Sequence, residues 1–90
     1  MKTIYKYILE DMDIILNLPE AAKILKCGVQ DNKVVMWAEV NTEYQTQPRE
    51  FSVFGTGWDM ADRDDQYDSW KYIDTVQMPS GLVWHIYEIT

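Results

Sequence analysis

The chain has 90 residues, 47% of them hydrophobic, with four Trp, six Tyr and a formal net charge of −7. That length makes one domain, residues 1–90, with a thin core, because a chain of this size buries only roughly 60–65% of the surface its unfolded form exposes. The negative charge repels nucleic-acid backbones and anionic membranes, which argues against general DNA or RNA binding, and no run approaches the ~20 apolar residues of a membrane-spanning helix.

Residues 3–9 alternate, with Tyr5, Tyr7 and Leu9 on one face and Ile4, Lys6 and Ile8 on the other. This is the pattern of a strand with one face buried. Glu10-Asp11 supplies a polar turn. Met12, Ile14, Leu16 and Leu18 then alternate with Asp13, Ile15 and Asn17, a second strand expected to form a hairpin with the first. Pro19 has no backbone N–H, so it either ends that strand or opens one helical turn across residues 19–23.

An extended run resumes from Ile24 to Val29, with Leu25, Cys27 and Val29 on one side. Asp31-Asn32 marks a two-residue hairpin turn, since both residue types tolerate positive φ. The return strand, Val34 to Val40, is apolar on both faces and charged only at Glu39, the profile of a central strand covered on both sides. Residues 41–50 are polar, contain Pro48 and read as an exposed loop.

Phe51 and Val53 point one way, and Ser52 and Phe54 the other, up to Gly55. Gly55-Thr56-Gly57 is a turn or bulge where the backbone needs freedom. Residues 59–70 carry Asp59, Asp62, Asp64, Asp65 and Asp68 against a single Arg63, and either a short helix or an irregular loop suits them. Tyr72 to Met78 is strand-like, Pro79-Ser80-Gly81 turns, and Leu82 to Ile89 is the last strand. The whole predicts a mainly β fold: a small antiparallel sandwich or partly open barrel of about seven short strands, with at most one or two short helices.

Few residues suggest catalysis. Cys27, Ser52, Ser69 and Ser80 are the candidate nucleophiles, and none sits in a nucleophile motif. Cys27 falls on an apolar strand face, where a thiol behaves as a small core residue. His85 is the single histidine and cannot build a metal site without partners that the fold would have to bring to it. The Asp-rich stretch lacks the glycine and terminal glutamate of a calcium loop. It reads as a solvated acidic loop or, alternatively, as a surface for a basic protein partner. Neither an enzyme activity nor a cofactor is expected.

The sharper candidate is the glycine pair with the tryptophan after it. Gly55, Thr56 and Gly57 offer bare N–H groups and a hydroxyl to a phosphate or carbonyl, and Trp58 offers a stacking face to a base. Arg49, Lys71 or Lys23 would supply countercharge, and His85 completes the candidate ligand set. The alternative is a structural bulge with Trp58 packed over the sheet edge. Surplus aromatic surface on so small a domain favours a binding face or a homo-oligomer. The single cysteine excludes an internal disulfide and suits a reducing cytosol, and the N-terminal residues lack the apolar core of a signal peptide.

Several blocks of the chain resemble a family of short phage and prophage accessory proteins: Ile4-Tyr5-Lys6-Tyr7, Met36-Trp37-Ala38-x-Val40, Phe54-Gly55-Thr56-Gly57 and Gly81-Leu82-Val83-Trp84-His85-Ile86-Tyr87-Glu88. The resemblance covers nearly the whole chain. In that family the glycine pair is usually followed by His, where Trp58 stands here, and the stretch 59–70 is longer and more acidic than usual. The resemblance implies a viral protein acting in the cytoplasm of an infected bacterium. By analogy with other small phage accessory proteins, it would inhibit host defence by sequestering a small nucleotide-type signal. The alternatives are an acidic inhibitor that contacts a host defence protein directly through Asp59–Asp68, and a structural or assembly component of the virion.

Overall fold

The computed structural model describes residues 1–60 and 70–89. Seven strands form among them: β1 (Lys2–Leu9), β2 (Asp13–Pro19), β3 (Lys23–Gln30), β4 (Lys33–Asn41), β5 (Thr46–Gly55), β6 (Trp70–Gln77) and β7 (Val83–Ile89). They make two antiparallel sheets, of order β1-β4-β3 and β2-β5-β7-β6. The sheets do not close into a barrel, and no helix occurs among the described residues. The expected small antiparallel β fold is therefore a sandwich, and Pro19 opens no helical turn. Instead Ala22 N–H bonds the Pro19 carbonyl at 3.1 Å, with Ala21 at φ 63°.

Alternation decides which side chains meet. Leu9 from β1, Leu18 from β2, Cys27 from β3, and Met36, Ala38 and Val40 from β4 pack against Phe51 and Val53 of β5 and Ile86 of β7. These are the inward positions of both sheets, and their burial drives the layers together. β4 lies between β1 and β3, as its apolar sequence predicts. Its second face is only partly covered: Val35 is 1% exposed, but Trp37 and Glu39 are half-buried.

The first two strands do not form a hairpin. β1 pairs with β4 (Tyr5↔Ala38) and β2 with β5 (Ile14↔Phe51), so residues 10–12 carry the chain from one sheet to the other. Two consecutive strands with one apolar face each can cover a core from opposite sides as well as side by side. Here β1 takes the more apolar β4 as its neighbour. The exposed loop expected at 41–50 shrinks to the turn at 42–45, because β5 begins at Thr46 and contains Pro48. Pro48 is tolerated because β7 pairs with β5 only from Glu50 onward, so no second ladder needs its missing N–H.

Asp31 and Asn32 have φ of 52° and 61°, as the two-residue hairpin turn demands. Two bulges were not visible in the sequence. Leu25 is the extra residue in β3 and Ile73 in β6. The first turns Leu25 away from the face of Cys27 and leaves it exposed, contrary to the simple alternation. The edge strands β3 and β6 meet just beyond these bulges, where Cys27 N–H donates to Asp74 Oδ2 at 2.9 Å and links the two sheets.

Candidate functional site

β5 ends at Gly55, and the chain reverses in a tight turn. Trp58 N–H bonds the Gly55 carbonyl at 3.1 Å, and the positive φ falls on Gly57 at 83°, the position that favours glycine in a type II turn. Gly55 is required for another reason. A Cβ there would lie 2.6 Å from Cε2 and Nε1 of Trp58, so the bare backbone lets the indole lie across it.

The turn straddles the end of the four-stranded sheet. On one side Trp58 meets Trp84 edge to face, with centroids 5.3 Å apart and planes at 83°. Trp84 is there because it is the register partner of Gly55 across β5 and β7. Trp58 remains 48% exposed, and Leu82 is 57% exposed. Together with Gly55 and Gly81 these residues line a cleft of about 310 Å³. On the other side, Thr56 Oγ1 lies 2.7 Å from His85 Nε2. His85 Nδ1 lies 3.0 Å from Thr75 Oγ1, which in turn lies 2.6 Å from the Tyr72 hydroxyl. Hydroxyls both donate and accept, so this chain can be satisfied with the imidazole hydrogen on either nitrogen.

The fold thus gathers Gly55, Thr56, Gly57, Trp58 and His85, as the sequence suggested. Trp84, Leu82 and Thr75 join them, and sequence reasoning missed these three. The glycine turn at 79–81 could have hinted at Leu82 and Trp84, since two turns that flank antiparallel neighbours end side by side. Trp84 also borders a second opening of about 350 Å³ between the sheets, lined by Leu9, Met12, Val34, Val53 and Met78.

Arg49 does not belong to this site. It sits six positions earlier on β5, about 20 Å away along the strand. Its Nε and Nη2 donate to Glu88 Oε2 and Oε1 at 2.6 and 2.7 Å, and Nη1 donates to the Ala22 carbonyl at 2.6 Å. The register Phe51↔Glu88 puts that carboxylate diagonally opposite, so the arginine is consumed by a structural pair. The hydrogen bond to Glu88 raises the guanidinium's pKa further, against the opposing effect of burial. Lys23 and Lys71 also lie away from the Gly55 turn, in the cleft that Arg49 borders.

Asp59 is exposed directly after Trp58. Asp62, Asp64, Asp65 and Asp68, like Ser69, lie outside the described residues. Among the described residues no group of three or more His, Cys, Asp or Glu could hold a metal ion. Ser52 is fully buried and bonds Asp13 Oδ1 at 2.6 Å, with no imidazole on it. Ser80 is exposed in the turn before β7.

Cys27 is buried, and its thiol is pushed up from an ordinary 9.0 to about 12, first by burial and then by the charge of Asp74. The folded protein therefore keeps a proton that the unfolded chain gives up. The stability that this contributes is intact below pH 9.0 and declines as pH rises toward 12. We expect the native thiol to resist iodoacetamide at pH 8 and to react only in denaturant. Prompt alkylation of the folded protein would show that the thiol is not held in this environment.

No curated protein and no solved structure matches the chain. The model of a domain of unknown function, DUF7352, matches residues 1–90, and the chain belongs to that family.

Proposed function

We propose that this is a non-enzymatic phage accessory protein that inhibits bacterial antiviral defence by binding and sequestering a small nucleotide-type signal. The phage setting rests on the sequence blocks described above. The binding mode rests on one observation: a half-exposed Trp58, propped edge-on by Trp84 above a bare glycine, in a cleft that Thr56 also lines. A planar base can stack on the indole while its polar edge meets the Thr56 hydroxyl, which lines the same cleft. None of the residues lining this cleft is charged. Recognition there falls on the base rather than on the phosphate, which departs from the simple expectation that Arg49 supplies countercharge.

Calorimetric titration with cyclic nucleotides and ADP-ribose derivatives tests the reading. One class should give saturable heat, with the ligand recovered unchanged. Trp58→Ala should weaken that binding by about 5- to 150-fold, the range of one base-stacking contact. The variant should melt within a few degrees of the parent, because the indole is half in water. No heat from either class, or ligand turnover by the purified protein, would refute it.

A further inference from the structure

We propose that the free edge of β1 takes up an extended acidic segment of a partner protein, which joins the three-stranded sheet as a fourth strand. This goes beyond the function proposed above and does not depend on it. Among the described residues β1 pairs with β4 alone, so alternate N–H and C=O groups along Lys2–Leu9 face outward without a ladder partner. The ladder with β4 runs unbroken from Lys2↔Asn41 to Leu9↔Val34, and β1 contains no proline. The edges of β3 and β6 are instead interrupted by bulges and joined through Cys27 and Asp74. Ile4 and Tyr5, on the two faces of β1, are 57% and 42% exposed. A groove of about 520 Å³ lies beside them, lined by Lys2, Thr3, Ile4 and Glu39.

Charge selects the occupant. The register puts Lys2 and Lys6 of β1, Lys23 and Lys26 of β3 and Lys33 of β4 on the outer face of this sheet. These are five of the six lysines in a chain of net charge −7, a local reversal of sign. Glu39 is the one carboxylate that the three strands bring to that face, 3.5 Å from Lys2 and opposite Lys23. Glu10, in the turn after β1, lies 3.5 Å from Lys33. Lys6 bonds a neutral group, the Gln30 amide oxygen, at 2.9 Å. Along the edge itself Lys2, Ile4, Lys6 and Ile8 alternate cation and hydrocarbon on one face, at steps of about 6.6–6.8 Å. An antiparallel strand with carboxylates opposite the lysines and apolar side chains opposite the isoleucines matches that row. Lys2 and Lys6 now lean over β4, but both are exposed, and a rotamer change swings each toward the new strand. A second copy of the chain fits less well. Its β1 brings only further lysines, and its β2 brings to the outer face one carboxylate, Asp13, which already accepts the Ser52 hydroxyl. The lysines therefore guard the edge against self-pairing and admit an acidic strand.

The test is a titration of the full chain with a capped peptide, Thr-Ile-Thr-Glu-Thr-Ile-Thr-Glu-Thr, followed by backbone amide NMR shifts and hydrogen exchange. Saturable shifts are expected at residues 2–9, with slowed exchange at alternate amides there. Lys2→Glu with Lys6→Glu should weaken the affinity at least about tenfold, because like charges then face each other. The same variant should regain affinity for the peptide that carries Lys in place of both Glu. Both positions are exposed, so its amide spectrum should match the parent's outside β1 and its neighbours. Trp58→Ala should bind the acidic peptide normally, which separates failure here from failure at the Gly55 turn. Shifts that never saturate or that centre on another strand would overturn the proposal. So would undiminished binding of the acidic peptide by the charge-reversed variant, no recovery with the Lys peptide, self-association through β1, or tighter binding of a thymidine oligonucleotide at residues 2–9.

Discussion

Glu88→Ala should destabilise the domain by about 3 kcal/mol, the low end for removing one partner of a buried ion pair. In a domain of this size that lowers the melting temperature by roughly 12–24 °C. The side chains of Arg49 and Glu88 are only 18% and 8% exposed, and all three guanidinium nitrogens donate within the protein. Without the carboxylate, a mostly buried cation is left without its partner at the border of the cleft. The loss comes from that stranded charge more than from the attraction itself. Replacing both partners, Arg49→Met with Glu88→Met, should therefore recover most of the stability, because no uncompensated charge remains. The double variant leaves only the Ala22 carbonyl without its donor. Thermal melts of the single and double variants decide the matter. A double variant as unstable as Glu88→Ala would mean that the pair itself holds the fold.

The same pair shows where reading from sequence ends. Arg49 and Glu88 are 39 positions apart, and only the register of β5 against β7 puts them together. From sequence alone Arg49 was a cation near a glycine turn, available to a ligand. The strands themselves were visible because period-two alternation is local. So was the Asp31-Asn32 turn, whose chemistry sits in two adjacent residues. What failed was non-local. The β1–β2 hairpin was inferred from nearness in sequence, whereas the pairing follows which strand buries more apolar surface. The bulges at Leu25 and Ile73 leave no compositional mark, yet they lie where the edges of β3 and β6 meet through Cys27 and Asp74. Gly55–Trp58 was recognisable as a turn. That Trp84 supports it could not be read, because the sequence does not state which β7 residue stands opposite Gly55.

Phe51→Ala and Phe54→Ala should both be severe, although the two rings point to opposite faces of β5. Phe51 is 0% exposed in the core between the sheets, and its loss should cost about 4 kcal/mol. That is a large share of the roughly 5–13 kcal/mol available to a 90-residue domain. Phe54 points away from that core, where a sandwich usually meets water, yet it is 1% exposed. It makes edge-to-face contacts with Trp70 and Tyr87, at centroid distances of 5.3 and 5.9 Å. Each such contact adds about 0.5–1.5 kcal/mol to area burial, so Phe54→Ala should cost about 3 kcal/mol. Urea unfolding measures both values, and a cost below about 1 kcal/mol at Phe54 would show that the outer aromatic cluster is not a second core. The two variants should differ at the candidate site. Phe54 is the register partner of His85, and Tyr87 packs on Tyr72, whose hydroxyl ends the Thr56–His85–Thr75 chain. Removing Phe54 should therefore shift the His85 imidazole resonances in the folded protein. Removing Phe51, on the other face, should leave them in place. Equal shifts in both variants would mean that the imidazole responds to general loosening of the domain and not to the aromatic cluster beneath it.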